Sequence, residues 1–113
     1  MGLRNQRLAG EIRDILAVCF QAGTLNDPRL KDVTIIAVRL SADLQLASVY
    51  YRTYLDGDEN GEVKKGLEHA AGFLRRRLAE SLDIRRVPNL RFFYDESVER
   101  GARIEKLVES IKA

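Results

Sequence analysis

Arginines crowd one stretch of this chain. Between residues 73 and 91, Arg75, Arg76, Arg77, Arg85, Arg86 and Arg91 face only Glu80 and Asp83. A guanidinium stays charged at physiological pH, and its planar fork of donors fits phosphate oxygens. Such a cluster suits neutralisation of a polyanion's backbone, whatever its sequence. Arg4 and Arg7, near the amino end, can extend the patch. The same side chains would equally serve as a solvated helix face with local ion pairs, such as Arg76–Glu80 at four-residue spacing.

The acidic counterpart is "DGDENGE", residues 56–62. Asp56, Asp58 and Asn60 stand at positions 1, 3 and 5 of a calcium loop, with Gly61 at position 6. That loop needs a bidentate Glu at position 12, and Leu67 stands there. An acidic turn fits better, with Asp58 or Asn60 capping the helix that follows. The remaining inventory for chemistry is thin. No GxSxG, Walker loop or GxGxxG occurs, and no Cys/His pair has metal-ligand spacing. Cys19 falls on an apolar face, as a buried thiol without the basic neighbour that activates one. His69 is expected in a solvated or helix-capping role. No enzyme activity, catalytic residue, metal or cofactor is expected.

Composition sets the frame for these residues. The 113 residues are 45% apolar and 32% charged, with a net charge of +2. That fits a single domain, residues 1–113, with one core between two layers. A net charge this small does not by itself point to nucleic acid; its uneven distribution matters more. One cysteine rules out an internal disulfide framework and suits a cytoplasmic setting. No apolar run approaches the ~18 residues of a membrane span. Charges interrupt the amino terminus, so it does not read as a signal peptide.

The elements that must position the arginines follow from periodicity. Leu8, Ile12, Ile15, Leu16 and Cys19 share one helix face over residues 6–20. Gly23 is placed to end that helix, and Asp27-Pro28 reads as a turn. "VTIIAVRL" (33–40) and "QLASVYYRTYL" (45–55) read as strands joined by a short link, hence an antiparallel hairpin. Val63, Leu67, Ala70, Leu74, Leu78 and Leu82 then hold helical phase, and "LRFFYD" (90–95) alternates as a third strand. A helical crossover makes that strand parallel to one hairpin strand. Ser97 can cap a last helix with Ile104, Leu107, Val108 and Ile111 on its face. The expected class is α+β, in the order α-β-β-α-α-β-α. Helices would pack on one face of a three-stranded mixed sheet.

Gly72 lies in the long helix, beside the densest arginines. As a straight rod, residues 62–82 would span ~31 Å, whereas three strands make a sheet only ~14 Å wide. A bend at Gly72 would let both halves pack, so a helix kink is expected there.

Several stretches, in order and spacing, resemble the ribosome-binding factor A family. They are "DPRL" (27–30), "SADLQLASVYY" (41–51), "AAGFLRRRLAESLDIRRVPNLRFFYDES" (70–97) and "GARIEKL" (101–107). The resemblance implies a type-II KH-like fold. A KH domain clamps single-stranded RNA with a GxxG loop. The family has a helix kink with an Ala-x-Gly signature instead, here Ala70-Ala71-Gly72, and this chain has no GxxG. The four-nucleotide clamp is therefore not carried over. The resemblance implies broader contact with folded 16S rRNA of the free or immature small (30S) ribosomal subunit. It also implies assistance to late rRNA processing and cold adaptation. A maturation GTPase and an initiation factor would be functional neighbours, and the protein itself would be a monomer. Within the family pattern, Arg75 matches an arginine after the glycine, and Arg85 one before the Val-Pro turn. The alternative reading is a protein–protein adaptor using an exposed strand face of Tyr50, Arg52 and Tyr54, without direct RNA binding.

Overall fold

Apolar residues spaced three and four apart build the first element, α1 (Leu3–Gln21), which buries Ala9, Ile12, Leu16 and Cys19. Gly23 follows it at φ 67°, the left-handed conformation that a glycine adopts without strain at a helix end. The computed structural model describes residues 3–23, 25–53, 58 and 60–96. A 3₁₀ turn (Pro28–Leu30) comes next, capped by the Asp27 side chain. The later elements are β1 (Val33–Leu40), β2 (Leu46–Thr53), α2 (Glu62–Ser81) and β3 (Asn89–Tyr94). The helix expected beyond Ser97, with Ile104, Leu107, Val108 and Ile111, lies outside the described residues, as do Tyr54 and Asp56.

The sheet order is β1-β2-β3, with β1 antiparallel to β2 and β3 parallel to β2. This is the mixed three-stranded sheet and crossover that the periodicity predicts, and it agrees with a KH-like α+β fold. Alternation places Ala47, Val49 and Tyr51 of β2 and Phe92 of β3 in the core with the apolar stripes of both helices. The β1–β2 register slips between Ile35 and Ala37, which leaves Ile36 without a partner on β2. Its carbonyl accepts a 3.0 Å hydrogen bond from Arg13 Nε of α1.

The hairpin link turns at Leu44, whose φ of 61° is unusual for a residue with a branched side chain. Local bonds hold the turn. Ser41 N donates to Leu46 O, Leu44 N to Ser41 O, and Leu46 N to Ser41 Oγ.

α2 runs uninterrupted from Glu62 to Ser81, so the two helices expected on either side of Gly72 are one element. Leu67 in its first half and Leu74 and Leu78 in its second are all fully buried. The strands alone are too narrow a floor for this. The helix also packs on α1 and on the 3₁₀ turn, and these widen the apolar surface beneath it. Width of the sheet is therefore not what would require a bend.

At its start, α2 is capped from three residues upstream. Asp58 accepts from the backbone amides of Val63 (3.0 Å) and Lys64 (2.8 Å), and from the Tyr51 hydroxyl (2.9 Å). This is the acidic turn expected from the sequence. The would-be calcium position, Leu67, is buried in the core.

Candidate nucleic-acid interface

α2 ends where Leu82 adopts extended geometry while its amide still bonds Leu78 O. The chain then passes through residues 83–88 into β3. This segment has no ladder of its own, and two bonds fix it. Arg75 donates from Nε to Pro88 O (3.2 Å) and from Nη2 to Val87 O (3.1 Å). Asn89 N donates to Gln45 O (2.9 Å), which ties the start of β3 to the hairpin turn. Arg75 is half-buried and bound to its own chain, whereas Arg85 and Arg86 stand exposed on the segment it holds.

A groove of about 750 Å³ forms along this segment. Its lining includes Arg75, Arg85 and Arg86, with Leu8 of α1, Leu44 of the turn and Asn89 of β3. Two residue clusters distant in sequence thus meet, the hairpin turn and the arginine segment. Arg4 lies one helical turn before Leu8, on the same face of α1, and Arg7 adjoins it; both are exposed.

One carboxylate, Asp43, also lines the groove. It is turned onto its own loop, accepting from Ser41 Oγ (2.6 Å) and Gln45 N (3.1 Å). The Ser41 bond, then the Gln45 amide, holds it below the usual carboxylate range. Neither Arg85 nor Arg86 forms an ion pair among the described residues.

Arg76 and Arg77 project from the outer side of α2 and are exposed. The local pair differs from the Arg76–Glu80 contact expected at four-residue spacing. Glu80 instead meets Arg77, three residues away, at 3.5 Å. Helical geometry brings both spacings within reach. The pair is well exposed, so it contributes little to stability.

The Ala-x-Gly stretch divides between inside and outside. Ala70 and Ala71 are half-buried against the core, and Gly72 is exposed. A Cβ built on Gly72 meets nothing within 4 Å among the described residues. The close approach is at Gly66, which sequence reasoning missed. A Cβ there would sit 3.0 Å from Leu30 Cδ2, 3.2 Å from Asp27 Oδ2 and 3.3 Å from Arg29 Nε. Asp27 and Arg29 hold each other through several bonds, including Arg29 Nη2 to Asp27 Oδ2 at 2.6 Å. The Arg29 side chain, then its backbone amide, keeps the Asp27 carboxyl below its ordinary range. Thus "DPRL" is a docking turn beneath α2. Helical phase could have revealed it, because Gly66 falls beside Val63 and Ala70 on the core flank.

As arranged, the exposed guanidinium groups of the site suit anions. His69 is exposed on α2, Cys19 is buried in the core, and no metal-ligating cluster occurs among the described residues.

Comparison with known proteins finds relatives along most of the chain. The family model described as ribosome-binding factor A matches residues 4–108. Ribosome-binding factor A of Nitrosomonas europaea is 46% identical over 107 residues, covering 94% of this chain and 90% of that protein. The Nitrosospira multiformis protein of the same name is 41% identical over 110 residues, 97% of this chain and 86% of that one. The crystal structure of ribosome-binding factor A from Thermus thermophilus superposes with a TM-score of 0.70 at 36% identity. It covers 80% of this chain and 93% of its own. A homology model of the Thermus thermophilus factor, as fitted into the cryo-EM map of a complex of 30S with that factor, gives 0.62 at 35% identity, over 78% and 91% of the two chains.

Proposed function

The chain belongs to the ribosome-binding factor A family, and from that premise we propose that it binds the small (30S) ribosomal subunit through 16S rRNA. In this reading it assists late rRNA processing and subunit maturation without catalysing a reaction, as a cytoplasmic monomer working alongside a maturation GTPase and an initiation factor. The 30S complex of the Thermus factor supports the choice of partner.

The observation that carries the reading is the groove, where Arg85 and Arg86 stand exposed on a segment that Arg75 and the Asn89 amide anchor at its carboxyl end. Phosphates meet those two guanidiniums first. Arg75 positions the segment from behind, Arg4 and Arg7 extend the positive wall along α1, and Arg76 and Arg77 supply charge on the outer side of α2. Gly72 adds a bare stretch of helix one turn before Arg76, where an RNA backbone can come close. Ala70 and Ala71 keep that part of the helix low against the core.

Co-sedimentation with purified small and large subunits across a salt series tests the proposal. Each neutralised phosphate releases counterions, so binding to the small subunit should fall steeply as salt rises. Binding to neither subunit, or binding that stays flat with salt, would overturn it.

A further inference from the structure

Among the described residues, α1 and α2 cover one face of the sheet, and the opposite face is ordered into rungs by the strand register. Arg39, Ser48 and Arg91 lie side by side across the three strands. Ala37, Tyr50 and Phe93 form the next rung, and Thr34 and Arg52 begin a third. The Tyr50 and Phe93 rings are 5.7 Å apart between centroids and tilted by 31°. The Arg39 guanidinium lies 5.7 Å from the Tyr50 centroid, and the Lys64 ammonium reaches within 5.9 Å of the Phe93 centroid. Phe93 remains 40% exposed, one of few large apolar side chains in water among the described residues.

Cross-strand packing accounts for the ring pair. It does not account for the rung beside it. Arg39 and Arg91 flank a small serine at two strand spacings, ~10 Å apart. Both are exposed, and neither has an ion pair among the described residues. No carboxylate stands on either rung to offset them. Two like charges around a saddle, next to a half-open aromatic pair, complement a phosphate joined to a flat ring.

We propose that this sheet face, open among the described residues, is a second RNA surface, which takes unpaired nucleotides. A phosphate sits over Ser48 between Arg39 and Arg91, and its base stacks on Phe93 beside Tyr50. Neighbouring rungs are ~6.8 Å apart, the reach of one nucleotide from phosphate to base. A duplex cannot use the site, because its bases are already stacked inside the helix. Continuity with the groove supports the assignment. Asn89 lines the groove and lies on the strand two residues before Arg91, so a single strand leaving the groove passes onto the sheet. The inference rests on the proposed RNA-binding function and extends it from folded rRNA to an unpaired segment.

The test uses a fluorescein-labelled, non-self-complementary RNA of about ten nucleotides, read by anisotropy with the full chain; this length suits the site sizes of single-strand binders. The wild type should bind the single strand and bind the same RNA annealed to its complement much more weakly. Loss of one stacked base in Phe93→Leu should weaken binding about tenfold. The Arg39→Gln/Arg91→Gln pair, which changes no core packing, should weaken it too and flatten the salt dependence by about one phosphate contact. Single-strand affinity that is unchanged in both variants, or absent in the wild type, overturns the platform. Co-sedimentation with small subunits, run in parallel, separates the two claims. Subunits that bind while the variants behave as wild type on the oligonucleotide sink the platform alone. Failure of the wild type to bind subunits sinks the proposed function.

Discussion

Two glycines in α2 carry opposite expectations. A Cβ at Gly66 would press on Leu30 and on the Asp27–Arg29 pair, all held firmly beneath the helix. Gly66→Ala should therefore lower stability by about 1 kcal/mol or more, overpacking outweighing the gain in helix propensity. At Gly72 a Cβ meets nothing within 4 Å among the described residues, and the backbone is helical. Gly72→Ala should raise stability by about 0.5–1 kcal/mol. Thermal melts of the two variants check both signs. Among the described residues nothing in the packing favours Gly72 over alanine, and the proposed approach of an RNA backbone would supply a reason for it. Small-subunit affinity should fall in Gly72→Ala even as its melting temperature rises. The distinction was legible in the sequence, since phase puts Gly66 with Val63 and Ala70 and puts Gly72 opposite Leu74. The role of Arg75 was not legible. Its partners are backbone carbonyls twelve and thirteen residues away, and no side-chain pattern marks a carbonyl.

Among the elements, α2 depends on a cap that belongs to the turn before it. Burial pushes the Asp58 carboxyl up, but the amides of Lys64 and Val63 and the Tyr51 hydroxyl outweigh it and hold the group below its usual range. Burial, then the bond to Asp58, pushes the Tyr51 hydroxyl the other way, so it stays protonated and donating. With the folded-state value below the unfolded one, the unfolded chain binds the extra proton as acid is added. The cap's contribution is therefore complete above the unfolded value of about 3.9 and is lost as pH falls through the folded value. Asp58→Asn should cost about 1 kcal/mol at pH 7. The gap between variant and wild type should narrow at pH 3, as read by urea midpoints; a gap independent of pH would count against a charged cap. Hairpin pairing and the parallel crossover were readable from alternation and link length, whereas the choice of β2 rather than β1 as the neighbour of β3 was not. The slip at Ile36 was not, because the bond that Arg13 makes to its carbonyl is a tertiary contact.

For the molecule as a whole, the fold sorts the arginines into jobs that their density in sequence conceals. Arg75 holds the 84–89 segment, Arg77 meets Glu80, and Arg85 and Arg86 face the groove without partners among the described residues. Replacing Arg75, Arg76 and Arg77 together would therefore confuse loss of charge with loss of the segment's shape. Paired replacements separate them. Arg85→Gln/Arg86→Gln should leave stability within about 0.5 kcal/mol, as surface changes do. It should also reduce small-subunit affinity and the steepness of its salt dependence by about two phosphate contacts. Arg75→Ala should act differently. The amide of Asn89 should exchange faster with solvent, because the segment before it loses both anchoring bonds. Affinity should drop while the salt dependence stays nearly as steep, since Arg85 and Arg86 keep their charge but not their placement. Hydrogen exchange and co-sedimentation on the same two variants read both quantities. Equal flattening of the salt dependence in both would show that Arg75 meets phosphate directly, and that the groove's shape matters less than its charge.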